Sequence, residues 1–396
     1  MLKDSRYELA ILIGEGGESG IYMAALMSQH QLPQQVIQRL QGAQELLASS
    51  KVVVGLDGFV DTILHVVDKR ESAAKFTRLT QMGVFADRIK AAAGLSANIE
   101  LVPEMLKLGG NGPIMANAMG AYGAPITYIG SLGSPAIHPV FNEFAARAKV
   151  YSVAEPGYTD AMEFEDGKLM FGKNESLKQI NWENILNYIS EDEILRLFSE
   201  ASLVALVNWT MIPHMSEIFQ SVLTRIAPKL QGPKRLVFFD LADPAKRTRE
   251  DIDQALKLIA QFQQYFKVIL GLNLRESEQI GSVLGIALEG DRPEMVTEHA
   301  AKIRTKLAVD TVVIHPTAFA AAADASGATF VDGPYTAKPK ITTGAGDHFN
   351  AGFCVGRVLG CDLAESLQIG VGTSGFYVRN AKSPTVEDLK AFLVTL

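Results

Sequence analysis

Cysteine and tryptophan are scarce in this chain of 396 residues, which contains two of each. Cys354 and Cys361 are too few for a disulfide framework, and we expect both to be buried thiols on one helix. None of the seven histidines has H-x-x-x-H spacing, and no C-x-x-C pair occurs. A zinc site built by the protein is therefore not expected.

Long apolar runs and an excess of basic residues are also missing. No stretch reaches the roughly 20 apolar residues that cross a membrane, and no signal-peptide pattern opens the chain, so we expect a cytoplasmic protein. The 37 basic and 44 acidic residues give a net charge of -7. This balance provides no general attraction to nucleic acid. The expected partner is a small molecule, and a homodimer is an open option.

Two common catalytic motifs are absent, and a third is imperfect. The chain has neither a G-x-x-x-x-G-K-[ST] phosphate loop nor a G-x-S-x-G nucleophile elbow. The glycine-rich segment 14–20 approximates a dinucleotide-binding turn, but its third glycine is displaced by one residue. The next acidic strand end, Asp57, also lies too far along the chain. A nicotinamide-dependent oxidoreductase is therefore a less favoured alternative.

The most informative motif is residues 342–349, Thr-Thr-Gly-Ala-Gly-Asp-His-Phe. The small residues Gly344, Ala345 and Gly346 let backbone N–H groups approach an anion closely, and the helix expected after them adds partial positive charge. Asp347 stands beside this cradle, where it can take a proton from a hydroxyl that attacks a phosphate. The motif therefore predicts phosphoryl transfer. An ordinary turn with a capping aspartate is the alternative.

Two further motifs offer groups suited to a sugar. Residues 55–61 follow a β-branched strand and carry Asp57 and Asp61, whose carboxylates can accept hydrogen bonds from neighbouring hydroxyls. Residues 109–112 read Gly-Gly-Asn-Gly, in which the glycines allow close approach and Asn111 can both donate and accept. Turn residues and a packing loop are the corresponding structural alternatives.

An N-x-x-E motif follows a predicted strand further along the chain. Asn273 and Glu276 could organise the water shell of Mg²⁺, which usually keeps several waters and takes phosphate oxygens directly. A helix cap with a solvated acid is the alternative.

Short apolar strands alternate with helix-period segments along most of the chain, which predicts a mainly parallel sheet covered on both faces by helices. Ligands of such sheets bind beyond the carboxyl ends of the strands. We expect strands at 51–56, 126–129, 203–207, 235–240, 267–270 and 311–314, a β excursion at 151–173, and helices at 71–94 and 101–108.

The order of these motifs along residues 51–396 resembles the ribokinase-like family, also called the PfkB carbohydrate kinases. The resemblance implies a three-layer α/β/α fold with a mainly parallel central sheet and a small β lid. The lid would come from segments near 61–70 and 155–173. Residues 1–50 would form a helical N-terminal extension packed on the kinase domain.

The resemblance implies a sugar kinase that transfers the terminal phosphate of ATP, with ADP as the alternative donor, to a carbohydrate hydroxyl. Asp347 would be the general base, next to the anion hole formed by Gly344, Ala345 and Gly346. The substrate would be held by the remaining motif residues: Asp61, Gly110 and Asn111, with Asp57 competing for the role of Asp61.

The resemblance also assigns residues to the nucleotide and the metal. Asn273 and Glu276 fall on the motif that holds Mg²⁺ through water, and Asn273 also lies near the phosphates. His315 and Thr317 belong to the nucleotide loop, with Thr343 beside the anion hole. A kinase of nucleosides or other hydroxymethyl compounds, and a non-catalytic sensor of a sugar or nucleotide, are the alternatives.

Two departures from the family pattern stand out. Ile341 occupies a position where the family often has an acid that helps to place a monovalent cation, so potassium activation is not expected. The loop 315–320 lacks both glycines of the usual T-x-G-x-x-G pattern, which weakens the assignment of its nucleotide contacts.

Overall fold

The computed structural model describes residues 31–396. Most of the predicted extension, including the glycine-rich segment 14–20, lies outside the described residues. The strands are β1 (Val52–Leu56), β2 (Phe59–Arg70), β3 (Phe76–Arg78), β4 (Leu101–Gly109), β5 (Ile126–Gly130), β6 (Ala148–Ser152), β7 (Gly157–Glu163), β8 (Lys168–Lys173), β9 (Leu203–Val207), β10 (Leu236–Asp240), β11 (Lys267–Leu272), β12 (Thr311–Ile314), β13 (Phe319–Asp324) and β14 (Gly327–Asp332). The helices are α1 (31–40), α2 (Ala43–Ser49), α3 (Met82–Ala91), α4 (Asn111–Ala121), α5 (Asn142–Ala145), α6 (Trp182–Leu186), α7 (Glu191–Glu200), α8 (Met215–Ser221), α9 (Arg249–Phe262), α10 (Leu274–Leu284), α11 (Pro293–Leu307), α12 (Ala345–Val358), α13 (Leu363–Asn380) and α14 (Val386–Leu393).

Nine strands form the central sheet, in the order β14-β13-β12-β11-β10-β9-β1-β5-β6. The seven strands from β12 to β6 run parallel, and β13 and β14 form an antiparallel edge. The strands predicted for this sheet are confirmed, with ends that differ by one or two residues. Their continuous apolar runs are buried because helices cover both faces of the sheet.

The two faces of the sheet carry separate hydrophobic clusters. Val52 and Val54 of β1 pack in the cluster that contains α12 and α13, whereas Val53 packs in the cluster on the opposite face. Successive side chains of a strand point to opposite faces, so this division shows three layers, α/β/α. The predicted fold class is confirmed.

A second sheet, which we call the lid sheet, has the order β3-β2-β7-β8, with β4 also paired to β2. Strands β2, β7 and β8 occupy the segments that the sequence analysis assigned to a lid. The helix predicted at 101–108 is wrong, because these residues form β4, which pairs antiparallel with β2 over its whole length. The helix predicted at 71–94 is confined to α3, and β3 precedes it. Both errors arise because pairing with a distant strand overrides local propensity.

The described part of the N-terminal extension packs on the core. Helices α1 and α2 bury apolar side chains in the cluster that contains α12 and α13. Arg39 also donates to Glu365 at the start of α13, at 3.0 Å. The assignment of the whole segment 1–50 as an extension remains a prediction.

The two cysteines are free and buried, as expected. Their placement on one helix is wrong, because α12 ends at Val358 and Gly360 turns the chain with φ of 73° before Cys361. Within residues 31–396, no helix combines the length and apolar character needed to cross a membrane.

Candidate active site

The Gly-Ala-Gly-Asp turn lies at the start of α12. Gly344 precedes the helix with φ of 91°, a left-handed conformation that favours glycine. Asp347 is in the first helical turn. The N–H group of Ala345 donates to the Thr342 carbonyl at 3.1 Å and closes the turn. First-turn N–H groups have no partner within their helix, so this end of α12 can receive an anion.

Asp347 faces the Gly-Gly-Asn-Gly loop. The side-chain amide of Asn111, the first residue of α4, donates to Asp347 Oδ1 at 2.9 Å. Burial, and after it the charge of Asp57, raise the pKa of Asp347 to about 8, while the Asn111 hydrogen bond opposes the shift. A carboxylate with this proton affinity is suited to take a proton from a hydroxyl.

Asp57 is buried and committed to holding the Gly-Gly-Asn-Gly turn. Its Oδ2 accepts from the backbone N–H of Asn111 at 2.9 Å and from the Asn208 amide at 2.6 Å. Its Oδ1 accepts from the Gly112 N–H at 2.8 Å. Burial raises the pKa of Asp57 to about 6, and these hydrogen bonds oppose the rise. The carboxylate therefore has a structural task, which weakens its candidacy as a sugar ligand.

Asp61 lies on the inner part of the lid sheet. On β2 it stands opposite Lys107 of β4 and Thr159 of β7. Burial raises the pKa of Asp61, and Lys107, Thr159 and Lys168 oppose the shift. The carboxyl group lies against Gly109, where an added Cβ would overlap with it. Of the two predicted aspartates, Asp61 has the carboxylate better placed to meet a substrate.

Two lysines of the lid sheet reach the turn before the anion hole, and sequence reasoning missed both. Lys107 Nζ lies 3.5 Å from the Thr343 carbonyl oxygen. Lys168 Nζ lies 3.3 Å from Thr342 Oγ1 and also contacts Thr343 Oγ1. A strand assignment for 101–108 would have found Lys107, because it then shares a face with Gly109 at period two.

His348 and Tyr377 contact the backbone carbonyl groups of the same turn, at Gly344 and Thr343. The Tyr377 hydroxyl donates to the Thr343 carbonyl at 2.8 Å. The His348 ring stacks on Tyr377 with centroids 3.6 Å apart, and its nitrogens lie 2.7 Å from Gly344 O and 2.9 Å from Ser383 Oγ. Burial lowers the pKa of His348 to about 4, so the ring is neutral at physiological pH.

Asn273 and Glu276 form a capping box at the start of α10. Asn273 Oδ1 accepts from the Glu276 N–H at 2.9 Å, and Glu276 Oε2 accepts from the Asn273 N–H at 2.8 Å. The other oxygen, Oε1, accepts from the Asp243 N–H at 2.9 Å. Burial raises the pKa of Glu276. The charges of Glu276 and Asp347 in turn help to raise the pKa of Asp240, so negative charge is concentrated at this edge of the sheet.

This donor set suits a cation held through water. Among residues 31–396, no group of three or more acidic, histidine or cysteine side chains could ligate a metal directly. The oxygens of Glu276 keep further lone pairs, and Mg²⁺ gives up its waters reluctantly. Asn273 and Glu276 therefore fit the water-mediated role that the sequence predicts for them.

A pocket of about 430 Å³ opens beside the anion hole. It brings together Asn273, His315, Thr317 and Gly346, four residues predicted around the nucleotide and its phosphates. Thr343, predicted with them, instead faces Tyr377 and the lid lysines. The remaining lining residues are Pro316, Phe319, Gly333, Pro334, Tyr335, Thr336, Pro339, Thr342, Ala345, Phe349, Val371, Ser374, Gly375 and Val378.

The inner wall of this pocket is apolar. His315 packs against Phe349 with centroids 4.8 Å apart, and burial lowers the pKa of His315 to about 4. The neutral ring offers surface area rather than charge. A pocket of this size and lining can take an aromatic ligand of the size of a nucleotide base.

The three-layer core, the second sheet and the glycine-rich helix start with its buried aspartate together define a kinase of the ribokinase-like class. The model of the prokaryotic ketohexokinase family matches residues 32–395, and the chain belongs to this family. It is 28% identical over 352 residues to the ketohexokinase of Haloferax volcanii, a match that spans 88% of this chain and 92% of that relative. The protein is thus a sugar kinase, a phosphotransferase with an alcohol group of a small sugar as acceptor.

Solved structures agree on the fold. Ribokinase of Arabidopsis thaliana, complexed with ribose and ATP, has a TM-score of 0.60 at 17% identity, covering 87% of this chain and 98% of that chain. Phosphofructokinase-2 of Escherichia coli has a TM-score of 0.61 at 15% identity, covering 88% and 99%.

Proposed function

We propose that this protein transfers the terminal phosphate of ATP to a hydroxyl group of a ketohexose. The acceptor follows from the family and from the name of the Haloferax relative. The observation that carries the chemistry is the 2.9 Å hydrogen bond between Asn111 and Asp347. It joins the loop that would hold the sugar to the helix start beside the 430 Å³ pocket.

Asp347 acts as the general base in this proposal. Its raised pKa of about 8 gives the carboxylate a proton affinity near that needed at physiological pH. The acceptor hydroxyl is oriented by Asp61 and Asn111 and held over Gly110. Its oxygen attacks the terminal phosphorus as its proton passes to Asp347. The N–H groups of Gly344 and Gly346 offset the negative charge on the phosphoryl oxygens, whereas the Ala345 N–H closes the turn.

Magnesium would be held near Asn273 and Glu276 through water. When bound, Mg²⁺ supplies positive charge to the phosphate oxygens. Asn273 lines the same pocket as Gly346 of the α12 turn, which supports a position of the capping box near the phosphates.

The donor and acceptor can be tested together. We expect ³¹P NMR to detect a sugar phosphate when the protein is incubated with Mg-ATP and D-fructose, with less or none from Mg-ADP. The panel should include D-tagatose, L-sorbose, D-glucose, D-ribose and a nucleoside, so that acceptor class is decided by kcat/KM. A protein that phosphorylates only aldoses or nucleosides would refute the ketohexose assignment.

The role of Asp347 needs a matched comparison. Asp347→Asn should lower kcat by at least about 10³-fold, since proton transfer and its orientation are both lost. Asp332→Asn changes an exposed aspartate in the same way, at the end of β14, and should leave kcat within about twofold. Equal rates in the two variants would reject Asp347 as the base.

A further inference from the structure

Two ammonium groups from the lid sheet converge on the segment that precedes the anion hole. Lys107 comes from β4 and Lys168 from β8, and the residues that they reach, Thr342 and Thr343, come directly before Gly344. The contacts span 236 and up to 175 positions of the chain. No turn or helix geometry imposes them, and they link the lid sheet to the α12 turn.

Within residues 31–396, neither lysine forms an ion pair with a carboxylate. Their hydrogen-bonding partners are the Thr343 carbonyl oxygen and the hydroxyl groups of Thr342 and Thr343. Both side chains are half-buried. Burial lowers the pKa of Lys107 and of Lys168, and the charge of Lys107 lowers that of Lys168 further. Placing two like charges together out of water is unfavourable unless an anion joins them.

The acids that face the two lysines act only at longer range. Asp61 stands opposite Lys107 in the β2–β4 register, and Glu163 stands opposite Lys168 in the β7–β8 register. Asp347 is a third acid whose charge acts on Lys107. Asp61 and Asp347 are assigned to the sugar site and to the reacting proton, whereas Glu163 has no such role, and none of the three forms an ion pair with either ammonium group.

A neutral sugar carries no charge that two ammonium groups would stabilise, whereas a transferring phosphoryl group is anionic. We propose that Lys107 and Lys168 bind the transferring phosphoryl group from the lid side, opposite the N–H groups of the α12 turn. This inference rests on the proposed function. In the step, the acceptor oxygen bonds to the terminal phosphorus, the bond to the bridging oxygen breaks, and ADP leaves with that electron pair. The acceptor proton goes to Asp347, and both lysines keep their protons.

The binding mode resembles an anion clamp, with fixed N–H dipoles on one side and mobile ammonium groups on the other. Lysine acts on phosphate as a point charge on a flexible stem, so each group needs only a small movement from its threonine partner. The charge on the phosphoryl oxygens would be met from both sides, and water would be excluded between the lid sheet and α12.

The test compares lysines of one strand. Lys168→Met should lower kcat about 10²–10³-fold with MgATP, the cost typical of losing one stabilising donor in a reaction centre. The KM for the sugar should change less than threefold. Lys173→Met removes an exposed lysine of the same strand that forms an ion pair with Asp160 at 2.9 Å, and this variant should retain the kcat of the unmodified protein. Lys168→Arg should recover at least tenfold over Lys168→Met, because it restores the charge.

Lys107→Met provides the second arm and should lower kcat by a comparable factor. Binding of ADP with aluminium fluoride, a mimic of the transferring phosphoryl group, should weaken in both methionine variants more than binding of ADP alone. A merely structural role would lower Tm and weaken both ligands equally. A kcat within threefold of normal in Lys168→Met and Lys107→Met would overturn the proposal.

The outcomes separate this inference from the proposed function. If the unmodified protein phosphorylates no ketohexose with either nucleotide, the proposed function fails whatever the lysines do. If it does so and Asp347→Asn is inactive, yet both methionine variants remain fully active, only the role of the lysines fails.

Discussion

Asn111 and Asp347 are 236 positions apart in the chain, yet the amide of one donates to the carboxylate of the other at 2.9 Å. Each residue lies in the first turn of a helix, α4 or α12, and each helix is directly preceded by a glycine of positive φ, Gly110 or Gly344. The bond links the two helix starts to which we assign the sugar and the transferring phosphoryl group. Geometry of this kind sets the reacting groups in position before a ligand arrives.

Removing the Asn111–Asp347 hydrogen bond should change the pKa of Asp347. Asn111→Leu takes away the hydrogen bond that holds down the pKa of Asp347, so that pKa should rise above its value of about 8. We expect kcat to fall about 10–100-fold at pH 7.5, with part of the loss recovered at pH 9. Steady-state kinetics across pH 6–10 provides the measurement, and Asn187→Leu, at an exposed asparagine, serves as the control. An unchanged pH profile would contradict the coupling.

The pH dependence of the unmodified protein follows from the same group. Asp347 must be deprotonated to accept a proton, and burial raises its pKa to about 8. We expect kcat/KM to fall as the pH drops through about 8, with a tenfold loss for each unit below it. A rate profile that stays flat down to pH 5 would show that Asp347 is not the titrating base.

The free energy of unfolding should depend on pH in the opposite direction to kcat/KM. The pKa of Asp347 is about 8 in the fold and near 3.9 in an unfolded chain. Between these values the folded state binds more protons, so the free energy of unfolding falls as the pH rises. Asp347→Asn lacks this titration and should have a higher Tm than the unmodified protein at pH 9. The difference should shrink toward pH 4, as measured by calorimetry. A lower Tm of Asp347→Asn at pH 9 would refute the claim that the ionised Asp347 carboxylate destabilises the fold.

Gly109 should control the sugar site through Asp61. A Cβ at Gly109 would overlap with the Asp61 carboxyl group, which is the mobile end of a side chain and can be displaced. Gly109→Ala should therefore fold but raise the KM for the sugar at least about tenfold, as expected when a hydrogen-bonding group is misplaced. Gly83→Ala, where an added Cβ meets no atom within 4 Å, is the matched control. Equal KM values would remove Asp61 from the sugar site.

Tyr377 should act on catalysis through the turn that it supports. Tyr377→Phe removes the 2.8 Å hydrogen bond to the Thr343 carbonyl. A bond of this type contributes about 1 kcal/mol, so we expect kcat to fall about fivefold. Tyr188→Phe removes an exposed hydroxyl that contacts Ser134 and should have no effect on kcat. A loss of Tm without any change in kcat would assign Tyr377 to folding alone.

The sequence was most informative where the determining interactions are local. The central strands are continuous apolar runs, such as 203–207, whose burial follows from composition alone. The Gly-Ala-Gly-Asp turn likewise carries its own helix start. The strand β4 was missed because its residues have no clear local period, and only the partner β2 settles their conformation.

The choice between Asp57 and Asp61 could not be made from the chain alone. Both follow the first core strand, and both are buried. Their difference lies in what surrounds them: backbone N–H groups and Asn208 for Asp57, lid lysines for Asp61. Those neighbours come from segments at least 46 positions away, the separation of Asp61 and Lys107.

The amino-acid sequence by itself determined the layered α/β class, the glycine-rich helix start with its aspartate and the N-x-x-E cap, because each depends on neighbours a few positions apart. Only the tertiary structure decided which carboxylates, lysines and amides meet around that turn. Strand pairing and helix packing bring distant segments together. The free energy of these contacts depends on both partners, so a local sequence pattern does not predict them.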